Sequence, residues 1–273
     1  MIRQTEPRLE CFGPRQNPRI ILPMTQTMPS LPNQNPPPVK AASASVREHF
    51  SAWVDDYDTV ADAVVMRNDE IHQEIVDATR QHSGDVGRCL DIGCGTGHGM
   101  ELMLLEYPNA EVVGIDFSSR MLENAEQRLH QFGHRVKLIE GDAKDLPSLS
   151  GLAGSFDCVV SALTIHNLDS SQKATVFRHV ARVLRPEGVF VNADFVAFAD
   201  DELSDQTSRV YRRFVRSNLS DKKLAIWESH IQKDQPETLA AQQQMLRDSG
   251  FCGLELRWLF VNEAVYVAKR LTA

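Results

Sequence analysis

A dense glycine turn follows a short apolar segment about one third of the way along the chain. Residues 89–92 have the pattern of a buried strand that contains Asp91, and four glycines alternate with other residues directly after it: Gly93, Gly95, Gly97 and Gly99. Glycine has no Cβ atom, so the backbone N–H groups of such a turn can approach a ligand closely. A helix that starts after the turn favours an anionic group at its N-terminus. The segment predicts a cofactor site, although dinucleotide-binding proteins use a similar turn.

Two acidic residues at the ends of later strands narrow the choice of cofactor. Asp116 follows a predicted strand over residues 111–115, at a distance from the glycines that suits the two hydroxyls of a ribose. Asp142 comes shortly after a third predicted strand, residues 136–139. NAD would also need Asp116, but Asp91 and Asp142 do not belong to the usual dinucleotide fingerprint.

Five motifs follow one another along the chain. They are Asp91-Ile92-Gly93-Cys94-Gly95-Thr96-Gly97, Gly114-Ile115-Asp116, Gly141-Asp142-Ala143, Phe156-Asp157-Cys158-Val159-Val160-Ser161, and Leu184-Arg185-Pro186-Glu187-Gly188 with the apolar strand after it. In this order and spacing the chain resembles the class I S-adenosylmethionine-dependent methyltransferases. The resemblance covers roughly residues 46–270 and implies S-adenosyl-L-methionine as the cofactor.

Alternating strand and helix patterns predict an α/β fold with a mostly parallel sheet. Residues 254–260 and 264–268 are joined by three residues, too few for a crossover helix, so these two strands should pair antiparallel. The resemblance implies a seven-stranded Rossmann-like methyltransferase sheet with this terminal hairpin, a helical N-terminal lid and an inserted helical cap. We expect the methyltransferase domain over residues 46–270, with the cap insertion at about residues 196–237.

The lid is predicted from a helical ridge of apolar residues, namely Phe50, Trp53, Val54 and Tyr57. Tyr57 and Asp58 resemble a Tyr-Asp pair often found in the lid of the family, where the tyrosine can reach the methionine end of the cofactor. A place in the apolar ridge alone is the alternative for Tyr57.

The resemblance also implies which residues bind the cofactor. Gly93, Gly95 and Gly97 would close the chain against its amino-acid portion, with Asp91 anchoring the turn or the ammonium group. Asp116 would bind the ribose hydroxyls and Asp142 the adenine amino group. The remaining candidates are Phe117 and Met121, which flank the adenine or belong to the core, Ala143 through its backbone N–H, Ser161, and Tyr57.

Residues 161–168 resemble the small-molecule branch of the family, in which a histidine often follows the fourth strand. His166 is the candidate general base because the pKa of an unperturbed imidazole, about 6.5, suits proton transfer near neutrality. Packing under the cofactor or capping is the alternative role. Asp194, at the end of the fifth strand, and Arg213, in an arginine stripe on the predicted cap, are candidates for substrate binding. The stripe equally suits a solvated helix face.

Charge and composition disfavour several classes of protein. A net charge of −8 and a pI near 5.6 argue against a broad nucleic-acid surface, and the Asn-Pro-Pro or Asp-Pro-Pro run of nucleic-acid amino-methyltransferases is missing. No apolar run approaches the ~20 residues needed to cross a bilayer. The five cysteines lack zinc-site spacing and disulfide density, so we expect reduced thiols, no metal site and a cytoplasmic protein.

The first 45 residues differ from the rest of the chain. They contain nine of its thirteen prolines and show no helical or strand periodicity. Such a segment buries too little apolar surface to offset the entropy lost on ordering, so we expect a disordered, proline-rich tail over residues 1–45.

The expected function is transfer of a methyl group from S-adenosylmethionine to an oxygen, nitrogen or carbon of a small molecule. On the same fold, a modified-cofactor synthase of the carboxy-S-adenosylmethionine type and an RNA methyltransferase are alternatives. A non-catalytic cofactor-binding protein is a third alternative, since a fold binds a cofactor without proving turnover. A NAD-dependent oxidoreductase is disfavoured by Asp142 and by the terminal hairpin.

Overall fold

The computed structural model describes residues 18–21, 56–148 and 154–272, and in these ranges an eight-stranded sheet is the central layer. Its strands, in chain order, are β1 (Arg19–Ile21), β2 (Arg88–Ile92), β3 (Glu111–Asp116), β4 (Val136–Glu140), β5 (Phe156–Ala162), β6 (Leu184–Phe195), β7 (Glu255–Phe260) and β8 (Glu263–Lys269). The fold is therefore α/β, as the alternating pattern predicts.

Helices connect most of the strands. They are α1 (Tyr57–Val64), α2 (Asn68–Ser83), α3 (His98–Glu106), α4 (Ser119–Leu129), α5 (Ser170–Val183), α6 (Asp201–Asn218), α7 (Asp221–Ile231) and α8 (Leu239–Asp248), with short 3-10 turns at His130–Arg135, Ala143–Ser148 and Ile165–Asn167. Several start at side-chain caps. Asp169 and Gln172 form a capping box at α5, and Asp200 accepts the Leu203 N–H at α6.

The sheet is parallel except at its last strand. Its order is β1-β7-β8-β6-β5-β2-β3-β4, and β8 pairs antiparallel with both β6 and β7. The two residues between β7 and β8 are too few for a crossover, which confirms the terminal hairpin.

Apolar side chains cover both faces of the sheet. One cluster joins α2, α3 and α4 to one face, with Ile71, Met100 and Leu129 all buried. The other joins α5 and α8 to the opposite face through Phe177 and Leu246, which are also buried. This is the three-layer arrangement that a mainly parallel sheet requires, since both of its faces must be covered.

A third apolar cluster lies outside these layers and joins the lid to the cap. Val60 of α1 packs with Tyr211 and Val215 of α6 and with Trp227 of α7. The helices α6 and α7 form the inserted cap, and α1 is the described part of the lid. The predicted ridge residues Phe50, Trp53 and Val54 lie outside the described residues.

The structure differs from the sequence-based expectations at two places. The sheet has eight strands rather than seven, because Arg19–Ile21 pairs parallel with the edge strand β7 and gives hydrogen-bonding partners to a backbone edge. The expectation of a tail without regular structure therefore does not hold for these three residues. Cys252 is disulfide-bonded, which corrects the expectation of five reduced thiols, whereas Cys89, Cys94 and Cys158 are free and buried.

Of the described helices, none is long and apolar enough to cross a membrane. A cytoplasmic location stays a prediction.

Gly114 gives a test of the packing under the glycine turn. A Cβ atom on this β3 residue would overlap the sulfur of Met100 and lie 2.8 Å from the sulfur of Cys94. We expect Gly114→Ala to lower the free energy of unfolding by about 1–3 kcal/mol, the usual cost of overpacking a core. Gly141→Ala is the matched control, since its Cβ would make only an ordinary contact, 3.8 Å from Ile115. Urea unfolding checks both, and equal stabilities of the two variants would contradict this packing.

Candidate functional site

The register of the sheet brings the chemistry-bearing residues to one edge. In neighbouring parallel strands, Ile92 of β2 lies opposite Ile115 of β3 and Ser161 of β5, and Ser161 lies opposite Asn192 of β6. The residues that follow these positions therefore meet beyond the carboxyl ends of the strands, where open α/β sheets bind ligands.

The glycine turn is held tightly against the segment that follows β5. Gly93 has φ 71° and donates its N–H to the Ile115 carbonyl at 2.8 Å. A Cβ atom there would overlap the side chain of Thr164, whose Oγ1 lies 3.4 Å from the Gly93 carbonyl oxygen. Both the positive φ and the close approach require glycine.

Asp116 lies at the floor of a cavity of about 320 Å³, which we call the Asp116 cavity. The carboxylate is buried, and its two oxygens accept the N–H groups of Gly95 at 3.0 Å and Ser118 at 2.9 Å. Burial raises the pKa of Asp116, although these N–H groups oppose the rise. Each carboxylate oxygen has a further lone pair, so Asp116 has the capacity to accept the two hydroxyls of a ribose.

The lining of the Asp116 cavity combines an aromatic ring, apolar side chains and a carboxylate, a mixture that suits a purine. Phe117, Met121, Asp142 and Ala143 all line this cavity, together with Gly93, Gly95 and Tyr57. Asp142 accepts the Lys144 N–H at 3.0 Å and forms an ion pair with the Lys144 ammonium at 3.1 Å. The carboxylate is thereby fixed at the cavity wall.

A second cavity, of about 280 Å³, lies on the other side of the glycine turn and is called the Asp91 cavity. It shares Gly93 and Gly95 with the first. Burial, with the Asp116 charge nearby, raises the pKa of Asp91 to about 7. A cationic group beside Asp91 would stabilise its charged form, so the chemistry of this position suits an ammonium group.

The lid is tied to the glycine turn by an ion-pair network. Asp58 of α1 accepts a hydrogen bond from the Thr96 hydroxyl at 2.7 Å and pairs with Arg128 of α4. Arg128 also lies 3.3 Å from the Thr96 Oγ1 and 3.8 Å from Glu101. These contacts place the first turn of α1, and with it Tyr57, over the glycines.

A third cavity, the His166 chamber, is smaller, at about 80 Å³. The lid, the end of β6 and the cap provide its mainly apolar wall, and its polar groups come from His166, His230 and Asp234. The full lining is Tyr57, Val60, Ala61, Val64, Val65, Leu163, His166, Phe195, Tyr211, Trp227, His230 and Asp234.

Tyr57 and Leu163 line all three cavities. Burial raises the pKa of Tyr57 to about 12, with the charges of Asp116 and Asp58 adding to the rise, so its phenol stays protonated. Leu163 has φ 52°, a strained conformation for a residue other than glycine, and such strain is concentrated at functional sites. These two side chains mark the junction between the pair of larger cavities and the chamber.

His166 is fixed by the carboxylate of Asp194. The Asp194 Oδ1 lies 2.5 Å from the His166 Nδ1, and its Oδ2 accepts the His166 backbone N–H at 2.8 Å. Because a carboxylate only accepts, the Nδ1 atom carries a hydrogen and the Nε2 atom is the one available for proton transfer. Burial would lower the pKa of His166, but Asp194, and more distantly Asp234, outweigh it, and the pKa is raised.

Four of the predicted site residues do not line any of these cavities. Ser161 is fully buried and donates its hydroxyl to the Ile92 carbonyl, and Gly97, with φ 82°, starts helix α3. Asp194 acts on His166 rather than lining the chamber. Arg213 lies on the exposed face of α6, as do Arg209, Arg212 and Arg216.

Among the cavity residues that sequence reasoning missed, three stand out: Leu163, His230 and Asp234. Leu163 reads as an ordinary core residue, and only its backbone angle distinguishes it. His230 lies in the last turn of the cap helix α7, and Asp234 belongs to the loop after that helix. No periodic pattern or motif indicates that either residue lines the same chamber as His166.

Comparisons with known proteins agree with this geometry. The family described as a methyltransferase domain matches residues 89–188. A malonyl-[acyl-carrier protein] O-methyltransferase of Legionella pneumophila is 32% identical over 143 residues, which are 52% of this chain and 47% of that protein. The chain thus spans about half the length of this relative.

A carboxy-S-adenosyl-L-methionine synthase of Trichodesmium erythraeum is 30% identical over 226 residues, which are 77% of this chain and 84% of that protein. The chain belongs to the class I S-adenosylmethionine-dependent methyltransferase family. A methyltransferase of Burkholderia thailandensis, solved with 1,6-didemethyltoxoflavin and S-adenosylhomocysteine, has a TM-score of 0.57 at 16% identity. The match covers 86% of this chain and 94% of that chain, and it shows that the fold is shared.

The residues of the two larger cavities fit the cofactor of this methyltransferase family. Asp116 suits the ribose, the wall of Phe117, Met121 and Asp142 suits the adenine, and Asp91 suits the ammonium of the amino-acid portion. Gly95 has φ 52°, a backbone conformation that favours glycine, and a Cβ atom there would make only an ordinary contact, 3.9 Å from the Tyr57 ring.

The His166–Asp194 pair gives a pH-dependent test of stability. The folded-state pKa of His166 is raised, so its stabilising contribution is complete below the unfolded value of about 6.5 and is lost as pH rises through the folded value. We expect Asp194→Asn to lower the free energy of unfolding by about 3 kcal/mol at pH 6, since it breaks a buried pair, and by less at pH 9.

Chemical denaturation at the two pH values measures this difference. Asp205→Asn, on the exposed face of α6, is the matched control and should change stability by no more than about 0.5 kcal/mol at either pH. A cost for Asp194→Asn that is the same at pH 6 and pH 9 would show that His166 is not held in its charged form.

Proposed function

We propose that the protein transfers the methyl group of S-adenosylmethionine to an oxygen, nitrogen or carbon of a small molecule. The observation that carries this proposal is the junction at Tyr57 and Leu163, where the two cavities that suit the cofactor meet the His166 chamber. A methyl transfer needs donor and acceptor in line and in contact, and such positioning supplies much of the rate acceleration.

Each part of the cofactor has a group in the chain to hold it. Asp116 binds the ribose hydroxyls, Asp142 and the backbone N–H of Ala143 bind the adenine edge, and Phe117 and Met121 pack on the ring. Asp91 binds the ammonium group at the other side of the glycine turn. When bound, S-adenosylmethionine supplies an electrophilic methyl group.

His166 removes the proton from the acceptor. Its Nδ1–H is held by Asp194, which leaves Nε2 as the basic atom, and the residue lines the chamber next to the cofactor junction. Asn167 contacts Nε2 at 3.2 Å and also lines the Asp116 cavity, so it links the base to the cofactor side. The raised pKa of His166 means that it accepts a proton from the acceptor best at mildly alkaline pH.

A cofactor-modifying synthase is the second candidate, because the Trichodesmium relative of that name covers 77% of this chain. Attaching a carboxylate to the cofactor requires a carboxylated reactant beside it, which a cationic side chain would bind. The described lining of the His166 chamber contains Asp234 and neither lysine nor arginine. A negative Asp234 without a cationic side chain beside it would disfavour a carboxylated reactant, so the lining favours methyl transfer over carboxylation.

Cofactor binding can be tested without knowing the acceptor. We expect calorimetry to show binding of S-adenosylhomocysteine and no heat with NAD. Asp116→Ala should weaken S-adenosylhomocysteine by about 100-fold or more, since two hydrogen bonds to a charged group are lost at about 1.5–3 kcal/mol each. Asp85→Ala, on an exposed loop, is the control and should bind as the wild type does. Binding of NAD alone would overturn the proposal.

The role of His166 can be tested once screening of extracts with a radiolabelled methyl donor has identified an acceptor. We expect His166→Ala to lower kcat by about 10²- to 10⁴-fold, the usual contribution of a general base, with S-adenosylhomocysteine affinity unchanged. In the wild type, kcat should rise with pH through a value above 6.5, because His166 must first lose its proton. Unchanged turnover in His166→Ala would remove the base from the mechanism.

A further inference from the structure

The loop between α7 and α8 is hydrogen-bonded to the main chain of His166. The Gln235 N–H donates to the His166 backbone carbonyl at 2.8 Å, and the Lys173 ammonium of α5 donates to the Gln235 carbonyl. Lys173 itself is only 1% exposed, so the ammonium group that anchors the loop is shielded from solvent. The loop therefore holds the preceding residue, Asp234, in a defined position at the wall of the His166 chamber.

The carboxylate of Asp234 is close to two imidazoles but bonded to neither. Its Oδ2 lies 4.0 Å from the His166 Nε2, and its Oδ1 lies 3.5 Å from the His230 Nε2. Both distances are longer than a good hydrogen bond. The Oδ1 atom is buried, and no donor among the described residues satisfies it. A buried acceptor without a donor costs about 1–3 kcal/mol, and the other oxygen, Oδ2, lies on the side of the His166 Nε2, where a donor on a ligand would approach the carboxylate.

The chamber around this carboxylate is small and mostly apolar. Its volume of about 80 Å³ is roughly half that of an engineered cavity, about 150 Å³, that binds benzene. Only the reactive end of an acceptor therefore enters it. Val60, Tyr211 and Trp227 supply apolar surface for that end of the acceptor. The polar side chains of His166, His230 and Asp234 would orient it.

The charged groups facing the chamber favour one sign of ligand. Burial raises the pKa of Asp234, His166 opposes the rise and Asp194 adds to it. The positive charge of His166 is already balanced by Asp194. No lysine or arginine belongs to the described lining, so the chamber offers an anionic ligand no permanent cation, only the two imidazoles of His166 and His230.

We infer that Asp234 binds the acceptor of the methyl group through an O–H or N–H donor, and that it selects neutral or cationic acceptors against anionic ones. The inference rests on the proposed function and adds the chemical class of the acceptor to it. Asp234 contacts the reactive end of the acceptor beside the His166 Nε2. The acceptor thus enters as an apolar group that carries a hydroxyl or an amine.

The test uses the full chain saturated with S-adenosylhomocysteine at pH 7.5 and four one-ring probes, of which only the substituent is small enough to enter the chamber. Phenol and benzylamine carry a donor, toluene carries none, and benzoate is an anion of similar size. Binding is measured by NMR from the shift of the Trp227 indole N–H signal, which is assigned with Trp227→Phe. We expect phenol and benzylamine to shift this signal, toluene to bind at least about fivefold more weakly, and benzoate not to bind.

The variant Asp234→Asn removes the charge and keeps the shape. We expect it to weaken benzylamine by about tenfold, to affect phenol less because the amide oxygen still accepts, and to admit benzoate. Asp205→Asn, with the same change on the exposed face of α6, should leave all four affinities unchanged. Probe affinities that do not differ between Asp234→Asn and the wild type would overturn the inference.

The wild-type comparison keeps the inference testable even if the variant fails to fold. Benzoate that binds the wild type as well as benzylamine does, or the absence of any probe binding at Trp227, would also overturn it. Either result with normal S-adenosylhomocysteine binding leaves the proposed function intact. Failure of S-adenosylhomocysteine to bind would overturn the proposed function itself.

Discussion

The parallel pairing of β5 with β2 on one side and with β6 on the other is the constraint on which the site depends. It sets Ile92, Ser161 and Asn192 side by side. The glycine turn, the segment from Leu163 to His166 and the residue Asp194 follow these three positions, so they lie at the same end of the sheet. Because side chains alternate across a strand, a shift of one residue would send these groups to opposite faces. Gly93 follows β2 and Thr164 follows β5, so the close contact between these two residues favours the same register.

The site contains several carboxylates in a buried region, where burial disfavours their charged form. Asp91, Asp116, Asp194 and Asp234 are largely buried, and the pKa values of Asp91, Asp116 and Asp234 are raised by that burial. Asp194 has His166 as a direct partner, at 2.5 Å. Burying unpaired carboxylates destabilises a fold, so the position of each one indicates where a hydroxyl or a cation is to be bound. The sheet and its two apolar layers supply the stability that offsets this cost.

Local sequence signals suffice to place the predicted cofactor residues at the strand ends, and the residues that they miss depend on long-range contacts. The glycine turn, Asp116 and Asp142 each follow their own strand directly, so pattern and position in the chain suffice to place them. The pairing of Arg19–Ile21 with β7 joins segments more than 230 residues apart. Three residues are too few to show the hydrophobic periodicity of a strand, so the sequence does not indicate this pairing. An arginine stripe is equally consistent with either orientation of α6. Asp234 meets His166 only because the loop after α7 returns to the sheet, which no local pattern specifies.

The acceptor side is built mostly from elements that are not part of the sheet, and this has a chemical consequence. Val60 of the lid and Tyr211 and Trp227 of the cap meet over His166, and together they leave a chamber of about 80 Å³ with few polar atoms. The surrounding side chains are buried and mostly apolar, so the effective dielectric is low and the interactions of His166 with Asp194 and Asp234 are stronger than they would be at a surface. In the proposed function, the proton that the acceptor loses passes to the Nε2 of His166. In the proposed function, the lid and the cap thus set the acceptor, while the glycine turn and the strand ends set the cofactor.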